Sequence, residues 1–299
     1  MNEYEQLLKN PLQRRAFLTR MSAAGLGLAA ANVLAGCGGG NNDGGVPFPS
    51  ATPSGTATPG GTPNGTPNPT ATGGGLDRAN FPNIVGRNIN EVVLNFALSL
   101  EILEADLYRQ ALNVASGLPI GAPLKSDGNY QLRLPAGALN ANSGQAAQDG
   151  FKFLRDFTFV EAAHRDFLRV ALRSFGAPVQ PPNPGGYRFP GGPGGDLKTI
   201  LGNILPIEET GVRAYLGAAG FLTDLGLLQT AATIFSTEAR HSAVIEDAVG
   251  NDPGPIPMPG DQKVTPNYPS PNTFEYFLEP RVVLQKASAY FGKASGTTA

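Results

Sequence analysis

The chain contains two histidines, and each follows a glutamate by three residues: Glu161 precedes His164, and Glu238 precedes His241. Residues three apart on a helix lie on one face, so both side chains of each pair can reach a single point beside the helix. Because twelve of the 299 residues are Glu, chance rarely places one at that offset before both histidines. We therefore interpret the repeated spacing as two halves of one dinuclear metal site in a helical bundle.

The sequence after residue 75 predicts an all-α domain. Its long segments have a hydrophobic period of 3.6 residues and show little alternation of period two. Pro206 lies inside the third segment, where it is expected to kink the helix just before Glu208. The fifth segment is expected to dock on the other four as a cover. The five helices are predicted at roughly 88–114, 145–174, 196–219, 224–249 and 272–290.

The connections between the helices predict how they pack. The link at about 219–226 is short, so the third and fourth helices should form an antiparallel hairpin. Glu208 and Glu238 each lie 15 residues from the middle of that turn, or about 22 Å along the helix, and should sit at one level. Glu101 and Glu161 are placed in the same way about the long loop that follows the first helix. The Pro- and Gly-rich segment 176–195 is long enough to cross the length of the bundle.

The first helix of each hairpin carries a Glu and a Tyr seven residues apart: Glu101 with Tyr108, and Glu208 with Tyr215. Each pair lies on one helix face, two turns apart. Four carboxylates and two imidazoles are therefore expected to converge at one level. Four buried carboxylates would cost many kcal/mol without a counter-charge, and two divalent cations would offset that charge.

Several alternatives remain for individual residues. Glu104 and Glu209 neighbour the proposed ligands and could take their places, although neither is followed by Tyr at the seventh position. The two tyrosines could instead be core aromatics with a satisfied hydroxyl. Each Glu and His pair could also be a solvated pair on an exposed face. The remaining carboxylates nearby are interpreted as surface charges; these are Asp106, Asp166 and Glu246.

The proposed ligand set resembles that of the ferritin-like di-metal carboxylate family, in the manner of bacterioferritin and rubrerythrin. The resemblance covers about residues 88–249 and implies a ferritin-like four-helix bundle with a long crossover between helices two and three and an additional C-terminal helix. It implies that Glu161 and Glu238 bridge the two metal ions, with Glu101 and His164 on one ion and Glu208 and His241 on the other. It also implies hydrogen bonds from Tyr108 to Glu208 and from Tyr215 to Glu101.

The N-terminal 37 residues resemble a twin-arginine export signal that ends in a lipobox. Arg14 and Arg15 precede a weakly apolar run from Met21 to Leu34, and the lipobox pattern Leu34-Ala35-Gly36-Cys37 follows. Cys37 is expected to carry a lipid; the alternative is an unmodified cysteine in a processed signal. It is the only cysteine, so the sequence excludes an intramolecular disulfide and thiolate metal ligands. Residues 38–75 are mostly Gly, Pro, Thr, Ser and Asn, which predicts a disordered tether before a domain at 76–299.

These features together predict an exported protein, anchored to the membrane by lipid and facing the periplasm or the cell exterior. The net charge is −2 and no basic patch occurs, which argues against a nucleic-acid partner. Imidazole and carboxylate ligands suit iron first and manganese next. We expect an oxidoreductase of ferroxidase, peroxidase or catalase type, with Fe(II), dioxygen or peroxide as substrate.

The alternative function is an envelope-anchored stress-protection or binding module in which the metal is structural or absent. Its working surface would be the Pro- and Gly-rich loops at 118–143, 179–195 and 252–271. Hydrolysis at a mononuclear zinc site is disfavoured, because no further set of residues offers a catalytic base beside a three-ligand site.

Overall fold

The computed structural model describes residues 78–139, 145–263 and 274–293, and helices dominate them. The four long helices are α1 (Ile89–Ala115), α2 (Gln145–Ser174), α3 (Leu197–Ala219) and α4 (Leu225–Val249). A short helix α5 (Pro280–Ala287) follows, continued by a 3-10 turn at Ser288–Tyr290. Two short strands, β1 (Gln262–Lys263) and β2 (Tyr276–Phe277), pair antiparallel. The predicted all-α bundle with an additional C-terminal helix is confirmed.

The predicted export signal, Cys37 and the tether at 38–75 lie outside the described residues. Within residues 78–139, 145–263 and 274–293, no helix combines the length and the apolar character that a membrane span requires.

Polar side chains fix where three of the long helices begin. Asn88 accepts a hydrogen bond from the backbone N–H of Glu91, Asp196 from that of Thr199, and Asp224 from that of Leu227. Each bond satisfies a backbone donor that the first helical turn leaves without a partner. The start of α3 at Asp196 agrees with the sequence prediction.

Contacts at the two ends of the bundle establish the helix directions. Thr223, in the α3–α4 turn, accepts a hydrogen bond from the side-chain amide of Asn90, next to the start of α1. The backbone N–H of Thr223 donates in turn to the side-chain oxygen of Asn90. At the other end, the N–H of Leu197 donates to Pro135 in the loop that follows α1. Helices α1 and α3 are therefore antiparallel, and the two hairpins α1–α2 and α3–α4 pack side by side.

The crossover between α2 and α3 runs along α1. Buried Asn95 donates to the carbonyl of Pro178 at 2.9 Å and accepts from the N–H of Gln180 at 2.7 Å. Four turns further along α1, Gln110 donates to the carbonyl of Tyr187 at 2.8 Å. The Pro- and Gly-rich segment thus travels the length of the bundle, as its length predicted.

The fifth helix begins later than predicted, and the helix that contains Pro206 is continuous. The fifth helix begins at Pro280 rather than near residue 272, because Tyr276–Phe277 pairs with Gln262–Lys263 as a strand and Pro is suited to the first turn of a helix. Helix α3 continues through Pro206 and keeps Glu208 on its buried face.

Arg213 on α3 attaches the segment after α4 to the bundle. Its fully buried guanidinium donates to Glu209 at 2.5 Å, to Asp261 at 2.6 Å and to the carbonyl of Ile256 at 2.5 Å. It also lies 5.6 Å from the ring centroid of Tyr276. The carboxylates of Glu209 on α3 and of Asp261 after α4 neutralise this charge, so the part of the chain around Ile256 and Asp261 packs against the bundle.

The interpretation of Glu246 as a surface charge is wrong. The side chain is 1% exposed, because the residues after α4 fold back over it and the N–H of Gly254 donates to its Oε2 at 2.8 Å. Burial raises the pKa of Glu246 to about 7. A period of 3.6 residues could not reveal this, since the covering segment has little regular structure.

Candidate metal centre

The structure brings all six residues with predicted ligand chemistry to one level of the bundle. Glu101, Glu161, Glu208 and Glu238 are fully buried, His241 is buried, and His164 is partly buried. They form two overlapping groups, in each of which the potential ligand atoms lie within 4.8 Å of one another. One group contains Glu101, Glu161, His164 and Glu238; the other contains Glu161, Glu208, Glu238 and His241.

The two histidines point their Nδ1 atoms at Glu161 from opposite hairpins. His164 Nδ1 lies 3.1 Å from Oε2 of Glu161, and His241 Nδ1 lies 2.8 Å from its Oε1. His164 Nδ1 is also 3.2 Å from Oε1 of Glu238 and 3.5 Å from Oε2 of Glu101, whereas His241 Nδ1 is 3.6 Å from Oε2 of Glu208. His164 therefore faces three carboxylates at once, and His241 faces two.

The arrangement of these polar atoms fits metal ligands better than a hydrogen-bonded network. Both oxygens of Glu238, one oxygen each of Glu101, Glu161 and Glu208, and Nδ1 of His241 are buried without a hydrogen-bond partner among the described residues. The 2.8 Å approach of His241 to Glu161 is a close contact without hydrogen-bond alignment. Buried polar atoms without partners are costly, and cations bound between them would remove that cost.

The electrostatics of the cluster depend on which groups carry protons. Burial raises the pKa of Glu238 well above its usual range, and Glu161 and Glu208 raise it further. Burial also acts to raise the pKa of Glu161, but the nearby imidazoles of His164 and His241 outweigh it and hold that pKa at about 2. Burial opposes the charge on His241, yet Glu208 and Glu161 raise its pKa to about 10. Without a cation, the cluster therefore retains protons at neutral pH.

Each of the two tyrosines reaches the glutamate of the opposite hairpin. Tyr108 of α1 donates its hydroxyl to Glu208 Oε1 on α3, and Tyr215 of α3 donates to Glu101 Oε1 on α1 at 2.5 Å. Burial and the nearby carboxylates raise the pKa of both tyrosines well above 10. Both hydroxyls therefore stay protonated and act as donors that orient the two glutamates.

The comparison with known families agrees with this geometry. The family model described as "Ferritin-like domain" matches residues 90–251, which is more than half of the chain and includes all six residues. The chain belongs to the ferritin-like domain family. No curated protein matches it. The ferritin-like match ends at 251, just before the segment that Arg213 holds against the bundle.

Phe157 is a further residue of the ferritin-like centre. Its ring stacks on the imidazole of His241 with centroids 3.8 Å apart and an interplanar angle of 24°. Because the ring covers one face of His241, it fixes the imidazole and limits the approach of water. Because Phe157 lies four residues before Glu161, the sequence places it on the inner face of α2. The sequence gives no indication that it contacts His241.

Glu104 and Glu209, the two alternatives to the chosen glutamates, differ in their surroundings. Glu209 is held by Arg213 and accepts a hydrogen bond from Ser242, so its carboxylate is already paired. Glu104 is buried, and its Oε2 has no hydrogen-bond partner in the described part of the chain. Burial and repulsion by Glu238 raise the pKa of Glu104 well above its usual range. It is thus a fifth carboxyl group beside the ferritin-like centre, outside both ligand groups.

Proposed function

We propose that this chain is an exported, membrane-tethered ferritin-like metalloprotein that binds two divalent ions, iron or manganese, and acts as an oxidoreductase on Fe(II), dioxygen or peroxide. The observation that carries the proposal is the overlap of the two groups of ligand atoms at Glu161 and Glu238. Two carboxylates common to both groups are suited to bridging two ions. Glu101 and His164 would complete one ion's ligands, and Glu208 and His241 the other's.

Iron or manganese held in this way would supply reversible one-electron or two-electron chemistry with small oxidants. The protein's own residues prepare the site for it. Tyr108 and Tyr215 each hold one terminal glutamate by donating a hydroxyl hydrogen. Phe157 shields His241 on one face. Before metal binds, Glu104 holds a proton on a buried carboxyl group near Glu238, because burial and repulsion by Glu238 raise its pKa well above its usual range.

Metal analysis of the purified full-length protein tests this proposal. We expect iron or manganese in the wild type and its loss in the double variant Glu161→Ala/Glu238→Ala. Glu279→Ala removes an exposed carboxylate paired with Arg281 and is the matched control, which should retain the wild-type metal content. Equal metal content in all three proteins, or none in the wild type, would contradict a dinuclear centre and leave the binding-module function.

The oxidoreductase activity needs a separate measurement. Protein loaded with Fe(II) without oxygen should develop or lose an absorption band when dioxygen or hydrogen peroxide is added. The double variant, treated in the same way, should give no such change. An unchanged spectrum in the loaded wild type would indicate a metal with a structural role.

The export and anchoring part of the proposal rests on the sequence around Arg14, Arg15 and Cys37. Replacing both arginines by Lys should leave the full-length precursor in the cytoplasm, because the twin-arginine route requires that pair. Cys37→Ala should allow export but release the protein from the membrane fraction. Membrane association that persists in Cys37→Ala would rule out the lipid anchor.

A further inference from the structure

One end of the bundle, at the α3–α4 turn, presents apolar side chains to solvent. Leu225, the first residue of α4, is 80% exposed, and Phe175, the residue after α2, is 45% exposed. They lie at the same end of the bundle as the half-buried Phe221 and Leu222 of the turn. Phe175 and residues 220–225, which we call the turn end, therefore offer a patch of apolar surface to a partner.

The chain enters the bundle at this same end. The described residues begin at Arg78, and the segment before α1 packs on the turn, since the ring centroid of buried Phe81 lies 5.1 Å from that of Phe221. Arg87 donates to the carbonyl of Phe175 at 3.2 Å, which joins the segment to the end of α2. The part of the chain that carries the predicted lipid anchor and tether is thus connected to the bundle at the turn end.

Arginines lie next to the apolar side chains of the turn end. Arg173 is exposed in the last turn of α2, two residues before Phe175. The exposed Arg78 donates to the backbone carbonyls of Ile84 and Gly86 rather than to a carboxylate. Positive charge beside exposed apolar groups matches the surface of an anionic bilayer, where arginines meet phosphate groups and apolar side chains reach the acyl boundary.

The carboxylates at the turn end are already engaged within the protein. Glu91 pairs with Arg87 at 2.7 Å, and Asp224 accepts a hydrogen bond from the N–H of Leu227 as the cap of α4. Among the described residues within about one helical turn of this end, arginines outnumber carboxylates by three to two, whereas the whole chain has a net charge of −2. The local balance of charge therefore favours an anionic partner.

We propose that the turn end docks on an anionic phospholipid bilayer, with Leu225 and Phe175 at the boundary between headgroups and acyl chains. The proposal rests on the membrane-anchored part of the proposed function, because a lipid at Cys37 would keep the bundle close to a bilayer. A flexible tether with the length of residues 38–75 spans on average about 35 Å, which is comparable with the roughly 40 Å length of α1. The attached end thus meets the bilayer first, and tethering makes a weak contact sufficient.

Docking would hold the candidate centre at a fixed distance from the lipid. Glu238 lies 13 residues after Leu225 on α4, or about 20 Å along the helix. The centre would therefore stay in the aqueous layer next to the headgroups, where small polar substrates can reach it.

The chain contains no tryptophan, so a single introduced indole reports its own surroundings. Leu225→Trp places it at the turn end, and Ile120→Trp is the matched control, because Ile120 is 45% exposed in the loop at the opposite end of α1. Both changes are made in the full-length, lipid-modified protein, reconstituted in vesicles of phosphatidylglycerol and phosphatidylcholine with brominated acyl chains. Phe175→Trp is a second reporter that serves if Leu225→Trp does not fold.

The emission of Leu225→Trp should shift to the blue and be quenched by the brominated lipid, because a docked side chain enters the bilayer by about 5–10 Å. The emission of Ile120→Trp should be the same with and without bromine. Both reporters should be unquenched in vesicles of phosphatidylcholine alone.

The role of the arginines is measured with the Leu225→Trp reporter. Arg173→Gln should weaken docking about fivefold, since a basic residue near an anionic surface contributes a factor of about that size. Arg133→Gln is the control, because Arg133 is exposed in the loop after α1, at the opposite end. Equal docking of both variants would overturn the assignment of an anionic partner.

The remaining outcomes separate docking from anchoring. An unquenched Leu225→Trp in protein that stays on the vesicles would show a tethered bundle without docking and would overturn the proposal. Equal quenching of Leu225→Trp and Ile120→Trp would show adsorption without a preferred face and would also overturn it. A blue shift that depends on protein concentration and not on bromine would assign the turn end to a second copy of the chain, which contradicts docking on lipid.

Failure of the anchor gives a different result. If Cys37 carries no lipid, the anchored part of the proposed function fails. Docking is then decided with the unlipidated full-length chain at high concentrations of the same vesicles. Quenching of Leu225→Trp but not of Ile120→Trp would support docking, and the absence of quenching would overturn it.

Discussion

Gly211 of α3 faces Glu238 of α4 so closely that a β-carbon at position 211 would lie 3.2 Å from Oε2 of that carboxylate. The same β-carbon would lie 2.9 Å from Oε1 of Glu104 on α1. A glycine in a helix interior is usually unfavourable, by roughly 0.5–1 kcal/mol relative to alanine. Here it gives two carboxyl groups room to enter the bundle between three helices.

Gly211→Ala is therefore expected to weaken metal binding by about tenfold, because the added methyl group displaces Glu104 and crowds Glu238, which belongs to both ligand groups. The matched control is Gly202→Ala on the same helix, where a β-carbon would meet no atom within 4 Å in the described residues. That change should leave metal binding unaltered and stabilise the helix by up to about 1 kcal/mol. Manganese titration by calorimetry measures the metal affinity of both variants. Equal affinities would show that Glu238 tolerates the added methyl group.

Tyr215→Phe removes the hydroxyl that orients Glu101 and is expected to lower metal affinity by about tenfold to a hundredfold. Tyr108→Phe should do the same through Glu208. Tyr130→Phe is the control, since that buried tyrosine accepts a hydrogen bond from the N–H of Lys125 in the loop after α1. If all three variants bind manganese alike, the hydroxyls only satisfy buried carboxylates and do not support binding.

Metal binding at neutral pH should release protons, because ligand histidines must be neutral. The pKa of His241 is about 10 in the folded protein without metal, raised by Glu208 and Glu161. Its stabilising attraction to these carboxylates is fully present below pH 6.5 and is lost as the pH rises through 10, whereas metal affinity increases over that range. Calorimetry of manganese binding in buffers of different ionisation enthalpy should detect about two or more protons per protein. Binding without proton release would contradict protonated histidines.

Arg213→Ala should destabilise the protein by about 3–5 kcal/mol, since it leaves Glu209 and Asp261 buried without their cation. Chemical denaturation monitored by circular dichroism gives the change. Arg281→Ala removes an exposed arginine that pairs with Glu279, and should cost no more than about 1 kcal/mol. A small effect for both would mean that the residues after 250 contribute little to stability.

Glu246 should make the protein less stable as the pH rises. Its pKa of about 7 exceeds the usual 4.5, because burial and the neighbouring Glu209 and Glu275 outweigh the attraction of Arg213. The folded state thus keeps a proton that the unfolded chain releases, so the stability contribution is full below pH 4.5 and is lost as the pH rises through 7. Glu246→Gln should raise stability at pH 8 by on the order of 1 kcal/mol and change little at pH 4.

Thermal melts of the wild type and Glu246→Gln across this pH range measure the difference. Asp247→Asn alters the next residue in the chain, which lies on the exposed side of α4, and serves as the control. Parallel pH profiles for the wild type and Glu246→Gln would show that Glu246 does not titrate in this range.

The sequence was sufficient for the bundle because the long helices carry their own signals. Asp196 and the apolar period located α3, and the spacing of Glu161 with His164 and of Glu238 with His241 placed those side chains on inward faces. Equal distances from the turns then put the glutamates at one level. Their role as metal ligands remains a proposal.

The burial of Glu246 and the contacts of Arg213 could not be predicted in the same way. They depend on how residues 251–263, which have little periodic structure, fold back on α3 and α4. Such packing is determined by contacts between distant parts of the chain, to which a local pattern of residues is insensitive. The stacking of Phe157 on His241 likewise joins different hairpins.

Four of the short contacts at the centre connect the α1–α2 hairpin to the α3–α4 hairpin. Glu161 meets His241, His164 meets Glu238, and the two tyrosine bonds cross between the same halves. Cations bound there would hold the two hairpins together, because each hairpin alone supplies only part of the coordination sphere. Two separately produced fragments, cut within the crossover between Ser174 and Asp196, should therefore reassociate more tightly when manganese is supplied.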